Sequence, residues 1–199
     1  MFSSAVSDGT RWKNWKTKPI FSPLSCASAS SPSAVMSWPA IVIRPVRPDD
    51  AARICAIYNH HVVDTVVTFE EAPVTESEMA QRFGRSAHPW LVLEDAGELA
   101  GYASASPWKA RASYRHTVES SVYVDPRFHR RGHGRRLYQA LLAELRGRGV
   151  HAVVAGIALP NPASIALHEA LGFVASGALP EVGRKFDRWV DVGYWTLVI

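Results

Sequence analysis

The stretch HRRGHGRRL, residues 129–137, places two glycines among a row of positive charges, directly before an apolar helical pattern. Glycine lets the backbone turn tightly and approach a ligand closely. The first amides of a helix lack intrahelical acceptors and attract anions. Residues 130–135 therefore predict a pyrophosphate cradle, although a solvent-exposed basic helix start is the alternative. The stretch is neither a Walker loop nor a dinucleotide-binding fingerprint.

Such a cradle needs a strand before it and a helix after it, and the sequence predicts both. HTVESSVYV, residues 116–124, is typical of a strand. RRLYQALLAELRGRG, residues 135–149, predicts a helix with an apolar face and two terminating glycines. That apolar face is formed by residues spaced by four, which are Leu137, Leu141 and Leu145.

The other elements alternate in a way that predicts one α/β domain with a mixed sheet. IVIRPV is a strand, a helix capped near Asp49 follows, and TESE is a capping box that opens a second helix carrying Met79 and Phe83. Residues 90–106 predict a strand, a turn and a strand. HAVVAGIAL predicts a buried strand, NPASIALHEALGF a helix closed by Gly172, and RWVDVGYWTLVI a final strand.

Residues 1–40 differ in composition from the rest of the chain. They are rich in Ser, Ala and Pro, show no helical or strand period, and are predicted to be a disordered extension of a domain at residues 41–199. Residues 1–40 have three possible explanations: a transit-type leader, an interaction tail, or a start of translation at Met36. The start at Met36 is favoured.

Composition and charge narrow the class of protein. The chain has 199 residues and a net charge of +4, most of it from basic residues before position 40, so the charge argues weakly for nucleic acid and we expect no such partner. No apolar run is long enough to span a membrane. Cys26 and Cys55 form no disulfide framework and no metal-site spacing, which favours a reducing, cytoplasmic setting.

The glycine stretch resembles the signature of the GNAT family of N-acetyltransferases, Gln/Arg-x-x-Gly-x-Gly/Ala after a strand, read here on RRGHG, residues 130–134. The likeness covers about residues 41–199. WKAR, TVESSVYV, LPNPASIALHEALGF and VDVGYW are further similar, in order, to the phosphinothricin and methionine sulfoximine acetyltransferase branch. The resemblance implies the GNAT fold, an α/β architecture with a mixed, mostly antiparallel twisted sheet, flanked by helices and splayed at the acetyl-CoA site.

In this family acetyl-CoA is the co-substrate, and the resemblance implies no metal. The loop amides would hold its pyrophosphate, and pantetheine would pair with the splayed strand. The residues implied in cofactor binding are Val122, Tyr123, Val124, Arg130, Arg131, Gly132, His133, Gly134, Arg135 and Asn161. Asn161 is also a good helix N-cap before Pro162, and both roles are compatible.

Glu119 is the general base that the resemblance implies. An amine nucleophile has a pKa of about 10 and must lose a proton before it attacks a thioester. A positioned carboxylate can accept that proton, directly or through water, for a gain on the order of 10²–10⁴ in rate. A structural ion pair with Arg115 is the alternative. Ser120 and Ser121 could line the substrate pocket, and the backbone N–H near Val124 would polarise the thioester carbonyl.

Two further groups of residues are implied in substrate binding and catalysis. In the resembling branch the WKAR segment, with Lys109, Ala110 and Arg111, binds substrate, and cations suit its carboxylate or phosphinate. Tyr114 is a further candidate, and a solvated loop is the alternative. Many relatives have a Tyr seven residues after the Asn as general acid. Here His168 stands there, and it could protonate the thiolate, orient substrate, or be structural.

The function that follows is direct acetyl transfer, in a ternary complex, to the α-amine of a small amino-acid-like molecule such as phosphinothricin or methionine sulfoximine or sulfone. No cysteine is placed to carry an acyl group. Acetylation of another amine or of a peptide, and a non-catalytic acetyl-CoA-binding sensor, are the rivals. By analogy with the branch, the C-terminal strands would form a homodimer.

Overall fold

The computed structural model describes residues 41–199. The predictions made for residues 1–40 and for Cys26 lie outside the described residues. Among the residues described, no helix is long and apolar enough to cross a membrane.

Seven strands form one sheet in the order β1-β2-β3-β4-β5-β7-β6. All neighbouring strands are antiparallel except β4 and β5, which are parallel, so the predicted mixed and mostly antiparallel sheet is confirmed. The strands are β1 (Ile41–Pro45), β2 (Trp90–Asp95), β3 (Glu98–Pro107), β4 (Thr117–Val124), β5 (Ala152–Ala158), β6 (Val174–Lys185) and β7 (Arg188–Val198).

The four α-helices are α1 (Ala51–Asp64), α2 (Glu76–Gly84), α3 (His133–Gly147) and α4 (Pro162–Glu169). The predicted capping box is confirmed, because the Thr75 side chain accepts from the Glu78 amide and the Glu78 carboxylate accepts from the Thr75 amide. The prediction of a helix capped near Asp49 agrees with the structure: the N-cap of α1 is the next residue, Asp50, and a 3₁₀ turn at Pro48–Asp50 precedes the helix.

The helices cover the two faces of the sheet with two apolar clusters. On one face α3 buries the leucines that its sequence spacing predicts, Leu137, Leu141 and Leu145, against β2, β3 and β4. On the other face α1 and α2 bury Ile54, Ile57, Tyr58 and Met79 against β2 and β3. Burial of whole side chains of this kind stabilises a fold by about 1.5–3 kcal/mol each.

The parallel strands β4 and β5 pair along only part of their length. Their register runs from Thr117 with Ala152 to Glu119 with Val154 and then stops. Beyond Glu119, β4 continues beside β3 as far as Val124, while β5 continues beside β7 as far as Ala158. The two strands therefore diverge, which confirms the predicted splay and leaves one edge of β4 without a backbone partner.

Strand β6 is an element that the sequence analysis left unassigned. It covers Val174–Lys185, pairs only with β7, and is exposed along nearly all its length. Gly177, Pro180 and Gly183 interrupt its sequence, and the pairing register shifts twice. An edge strand that buries neither face has no alternation of apolar and polar residues, so the usual sequence signal is missing.

Candidate active site

A cleft of about 640 Å³ opens where β4 and β5 diverge. The separated strand ends, the loop before α3, the first turn of α3 and the start of α4 form its walls. Among the predicted cofactor residues, those that line it are Val122, Tyr123, Val124, Arg130, Gly132, His133, Gly134, Arg135 and Asn161. Arg131 does not line the cleft. Ser120, Ser121 and His168 line it as well.

The glycine loop presents backbone rather than side chains to this cleft. Gly132 is the N-cap of α3 and has a φ of 79°, in the left-handed region that favours glycine. Because glycine has no side chain, no cap satisfies the first amides of α3, and they stay available for an anion. Arg130, at a φ of 62°, and Arg135 add positive charge to the wall. These groups fit the pyrophosphate of a nucleotide-containing cofactor.

Two side chains of the loop turn away from the cleft and hold the loop in place. His133 is buried, and its Nε2 lies 3.0 Å from the Asp95 Oδ2 at the end of β2. Arg131 pairs with the same carboxylate at 3.2 Å and stacks on the Phe128 ring. Asp95 therefore anchors the loop on the side away from the cleft. The predicted role of His133 in cofactor binding falls to its backbone amide.

His129 is a cleft residue that the sequence analysis missed. Counted back three residues from Gly132, the first position of the signature falls on His129 and not on Arg130. Its Nε2 lies 3.0 Å from the carbonyl oxygen of Val124, the last residue of β4. A histidine stands where the signature has Gln or Arg, which obscures the match at this position. The spacing of three residues before Gly132 is the sequence signal that identifies His129.

The fork between β4 and β5 is filled by a hydroxyl of β4. Ser120 is buried, and its Oγ donates to the carbonyl oxygen of Val154, the residue at which the strand pairing stops. The same Oγ lies 2.5 Å from the hydroxyl oxygen of Tyr138, which is fully buried on α3. Ser120 thus satisfies backbone at the point of divergence, in addition to lining the cleft.

His168 continues this network and is buried. Its Nδ1 lies 2.7 Å from the carbonyl oxygen of Ser164, so Nδ1 carries the proton and donates, and Nε2 accepts from the Tyr138 hydroxyl at 3.1 Å. Burial lowers the pKa of His168, which favours this neutral form. Edge-on contacts with the rings of Tyr138 and Phe173 fix the ring plane.

Glu119 occupies the last paired position before the fork. It is half-buried, and its Oε1 lies 3.2 Å from the place that a Cβ would take at Gly156, a glycine of the cleft wall. Burial raises the pKa of Glu119, and nearby Lys109 partly opposes that rise. No ion pair with Arg115 or any other described cation forms. A desolvated, unpaired carboxylate of this kind suits proton transfer better than structure.

A second cleft, of about 610 Å³, lies on the α1–α2 face and shares Ser121 and Tyr123 with the first. Ser106, directly opposite Glu119 in the β3–β4 register, lines it too. Its cations are Arg82, which pairs with Glu70 at 2.7 Å, and Arg85. The sequence analysis singled out neither of these arginines, since both occur on an ordinary polar helix surface.

The predicted substrate residues Lys109, Ala110, Arg111 and Tyr114 are exposed and line neither cleft. Lys109 lies above the Trp108 ring at 4.8 Å, and Tyr114 closes a short 3₁₀ turn, Ala112–Tyr114. Only Lys109 is linked to the site, through its effect on the pKa of Glu119. In the part of the chain that the structure describes, this segment therefore lies at the margin of the site.

Asn161 and His61 are the polar side chains best placed to add specific hydrogen bonds in the first cleft. The Asn161 Oδ1 caps α4 by accepting from the Ser164 amide at 3.1 Å, as predicted, while its Nδ2 has no acceptor among residues 41–199. His61 on α1 was not predicted. Its ring packs 5.3 Å from that of Tyr123, neither ring nitrogen has a hydrogen-bond partner among residues 41–199, and burial lowers its pKa.

Within the described part of the chain, no group of His, Cys, Asp or Glu could hold a metal ion. Cys55 is buried in α1, where its Sγ donates to the Val74 carbonyl, and burial raises its pKa. A buried thiol with a raised pKa is a poor nucleophile.

Comparison with known proteins agrees with this geometry. Residues 54–173 match the family model described as the acetyltransferase (GNAT) family. A phosphinothricin N-acetyltransferase of Streptomyces viridochromogenes is 45% identical over 157 residues, 78% of this chain and 86% of that protein. An L-methionine sulfoximine/L-methionine sulfone acetyltransferase of Salmonella typhimurium is 41% identical over 160 residues, 79% of this chain and 94% of that protein.

A solved structure supports the same conclusion. An acetyltransferase from Salmonella typhimurium, determined with its cofactor acetyl-CoA, is 38% identical, covers 80% of this chain and 94% of its own, and superposes with a TM-score of 0.78. The predicted fold and family are confirmed. The chain belongs to the GNAT family of acetyltransferases.

Proposed function

We propose that the protein transfers the acetyl group of acetyl-CoA to the α-amine of a small amino-acid-like molecule, with phosphinothricin and methionine sulfoximine or sulfone as candidate acceptors. One observation carries this proposal: the desolvated, unpaired carboxylate of Glu119, which itself lines neither cleft, lies beside Gly156, a residue in the wall of the first cleft. The names of two relatives at 45% and 41% identity support the choice of acceptors.

The residues of the first cleft would hold acetyl-CoA, which supplies a thioester-activated acetyl group. The amides of residues 130–135 would bind its pyrophosphate, with Arg130 and Arg135 beside it. The unpaired edge of β4 from Val122 to Val124 would pair with pantetheine, and the Nδ2 of Asn161 would donate to the same arm. A Cβ at Gly132 would meet no atom within 4 Å, so the backbone conformation at that residue, rather than space, requires glycine.

Glu119 would accept the proton of the acceptor ammonium, directly or through one water, and so free the amine lone pair. The backbone N–H near Val124 would stabilise the oxyanion that forms as the amine adds. For the leaving thiolate, His168 is the proposed proton source. In the neutral form its proton is on Nδ1 and its Nε2 accepts from the Tyr138 hydroxyl, so His168 would act as the imidazolium, after Nε2 has taken up a second proton from solvent. Transfer would be direct, in a ternary complex, because the buried thiol of Cys55 is unsuited to carry an acyl group.

The acidic end of the acceptor needs a cation. Lys109, with Ala110, Arg111 and Tyr114 in the same segment, remains the proposed partner, supported by the effect of the Lys109 charge on the pKa of Glu119. Arg82 is a second candidate, because it lines the cleft that shares Ser121 and Tyr123 with the cofactor side. Lys109→Met and Arg82→Met, compared for the KM of the acceptor, distinguish the two: the variant with the larger increase in KM has lost the anion partner.

The test is release of free CoA by the purified protein, given acetyl-CoA and a panel of phosphinothricin, methionine sulfoximine, methionine sulfone, glutamate, polyamines and a lysine peptide. We expect turnover on the first three, with Glu119→Gln lowering kcat on the order of 10²–10⁴ while retaining acetyl-CoA binding. Glu144→Gln on the exposed face of α3 is the control. Turnover on the peptide alone would refute the acceptor assignment, and cofactor binding without turnover would favour a sensor.

The exposed edge of the sheet supports a homodimer as the proposed assembly. Strand β6, the turn after it and the start of β7 expose several large apolar side chains, which are Val174, Leu179, Val182, Phe186 and Trp189. Apolar groups clustered on an open edge are typical of an interaction surface. Sedimentation equilibrium of the protein and of Trp189→Asp tests this proposal. A monomeric wild-type protein would contradict it.

Residues 41–199 are proposed to form the complete catalytic domain, in a cytoplasmic protein whose partners do not include nucleic acid. Residues 41–199 supply Glu119, the cleft lining described above and the network of Ser120, Tyr138 and His168. Removal of residues 1–40 should therefore leave kcat and both KM values within about twofold. Loss of turnover on removal would assign residues 1–40 a part in the reaction.

A further inference from the structure

Lys185, the last residue of β6, has a buried ammonium group that the proposed reaction does not use. The residue is 4% exposed, and its Nζ donates to the carbonyl oxygen of Thr68 at 2.7 Å. No carboxylate of the described residues lies within ion-pair distance of it. Glu70 and Glu71 favour the charged form from beyond that distance, and Nζ lies 5.1 Å from the centroid of the Phe186 ring. Burying a charge without a contacting counter-ion is costly, so the one hydrogen bond, to a carbonyl on a distant segment, requires an explanation.

That partner lies in the segment between α1 and α2, residues 65–75. The Oγ1 of Thr68 is 2.8 Å from the hydroxyl of Tyr58 on α1. The Tyr58 ring meets that of Tyr123 edge-on at 5.3 Å, and Tyr123 lines both clefts. Val67, next to Thr68, lines the first cleft. Lys185 is thus connected to the wall of the candidate active site through Thr68 and Tyr58.

A second contact joins the same two parts of the chain. The ring of Phe69 lies so close to Gly183 on β6 that a Cβ at residue 183 would overlap several of its ring carbons. Gly183 is not in the left-handed region, so close approach of the ring, rather than backbone conformation, is what excludes a side chain there. Two adjacent residues of segment 65–75 are therefore fixed by two positions of β6.

We propose that β6 fixes the acceptor side of the active site, with Lys185 as a positioning residue that holds segment 65–75 through the Thr68 carbonyl. This inference rests on the proposed function for its kinetic consequence. The anchor acts on the side of Tyr58 and Tyr123, which both line the second cleft. The pyrophosphate loop has its own separate anchor at Asp95. Loss of the Lys185 anchor should therefore weaken acceptor binding and leave cofactor binding largely unchanged.

The test is Lys185→Met, which keeps an unbranched side chain one heavy atom shorter and removes its N–H donors. Arg184→Met is the matched control, because Arg184 is the exposed neighbour on β6, where it pairs with Asp187 in the adjoining turn and lies over the ring of Trp189. We expect Lys185→Met to raise the KM for the acceptor roughly tenfold and to leave the KM for acetyl-CoA within about twofold. Gly183→Ala, which displaces the Phe69 ring, should change the same parameter in the same direction.

Amide hydrogen exchange provides a readout that needs no activity. In Lys185→Met the amides of residues 65–75 should exchange faster, while those of α3 stay unchanged, because only the anchored segment is released. If exchange changes in this way but the wild-type protein transfers no acetyl group, the proposed function is refuted and the anchor by Lys185 is still supported. Unchanged exchange, or an equal loss of acceptor and cofactor binding together with a lower Tm, would overturn the proposal.

Discussion

Replacement of Tyr138 by Phe tests the network at the fork of β4 and β5. The Tyr138 hydroxyl is fully buried and donates to His168 Nε2 at 3.1 Å while it bonds Ser120 Oγ at 2.5 Å. In Tyr138→Phe the ring keeps its contacts with His168 and Phe173, so packing changes little. The variant removes one oxygen atom and leaves its partners in place.

The cost follows from which partners can be satisfied without that oxygen. Ser120, whose one proton is shared between the Tyr138 oxygen and the Val154 carbonyl, can donate to that carbonyl alone, whereas His168 Nε2 becomes a buried acceptor without a donor. Leaving one buried polar group unsatisfied costs about 1–3 kcal/mol. For a domain of this size 1 kcal/mol corresponds to about 2–4 °C in Tm, so we expect a decrease of about 2–12 °C.

Thermal unfolding followed by circular dichroism measures this change. Tyr114→Phe is the control for stability, because Tyr114 is 41% exposed and its hydroxyl has no partner among residues 41–199, so its Tm should stay within about 1 °C. A Tyr138→Phe protein as stable as this control would refute the reasoning. It would mean that water or a rotated His168 ring replaces the lost donor at no cost.

Two further predictions concern the base and the loop. Because burial raises the pKa of Glu119, and only the ionised carboxylate accepts a proton, kcat/KM should rise with pH through an apparent pKa above the usual 4.5, and Glu119→Gln should lose this limb in a pH–rate profile. Because the pKa is raised, the ionised carboxylate of Glu119 destabilises the folded state above that pKa. Thermal unfolding at pH 7 should therefore give Glu119→Gln a slightly higher Tm than the wild-type protein. Gly132→Ala must adopt a φ of 79°, at a cost of about 1–2 kcal/mol, and should raise the KM for acetyl-CoA, by initial-rate kinetics, more than that for the acceptor.

The elements around the cofactor cleft could be predicted because their signals are local in sequence. The spacing of Leu137, Leu141 and Leu145 alone predicts which face of α3 is buried, and Thr75 with Glu78 alone predicts where α2 begins. Gly132 likewise predicts the turn into α3. Helix periodicity, capping and left-handed turns depend on residues a few positions apart, so the sequence contains the whole interaction.

The roles of several side chains depended on neighbours distant in sequence. His133 and Arg131 turn to Asp95, 38 and 36 residues away, which no local pattern predicts. His168 has both ring nitrogens engaged, one of them by Tyr138. Lys109 is exposed and lines neither cleft. Its position depends on how β3 pairs with β4, which the local sequence does not show.

The sequence by itself determined the family, the helices, most strands, the glycine loop and the choice of Glu119 as the candidate base. Only the tertiary structure decided that β4 and β5 part after Glu119, that Ser120 fills the fork, and that the ammonium of Lys185 reaches Thr68, 117 residues earlier. The physical reason is that burial and hydrogen-bond partners are properties of packed neighbours, whereas a single chain read in order shows only residue type and spacing.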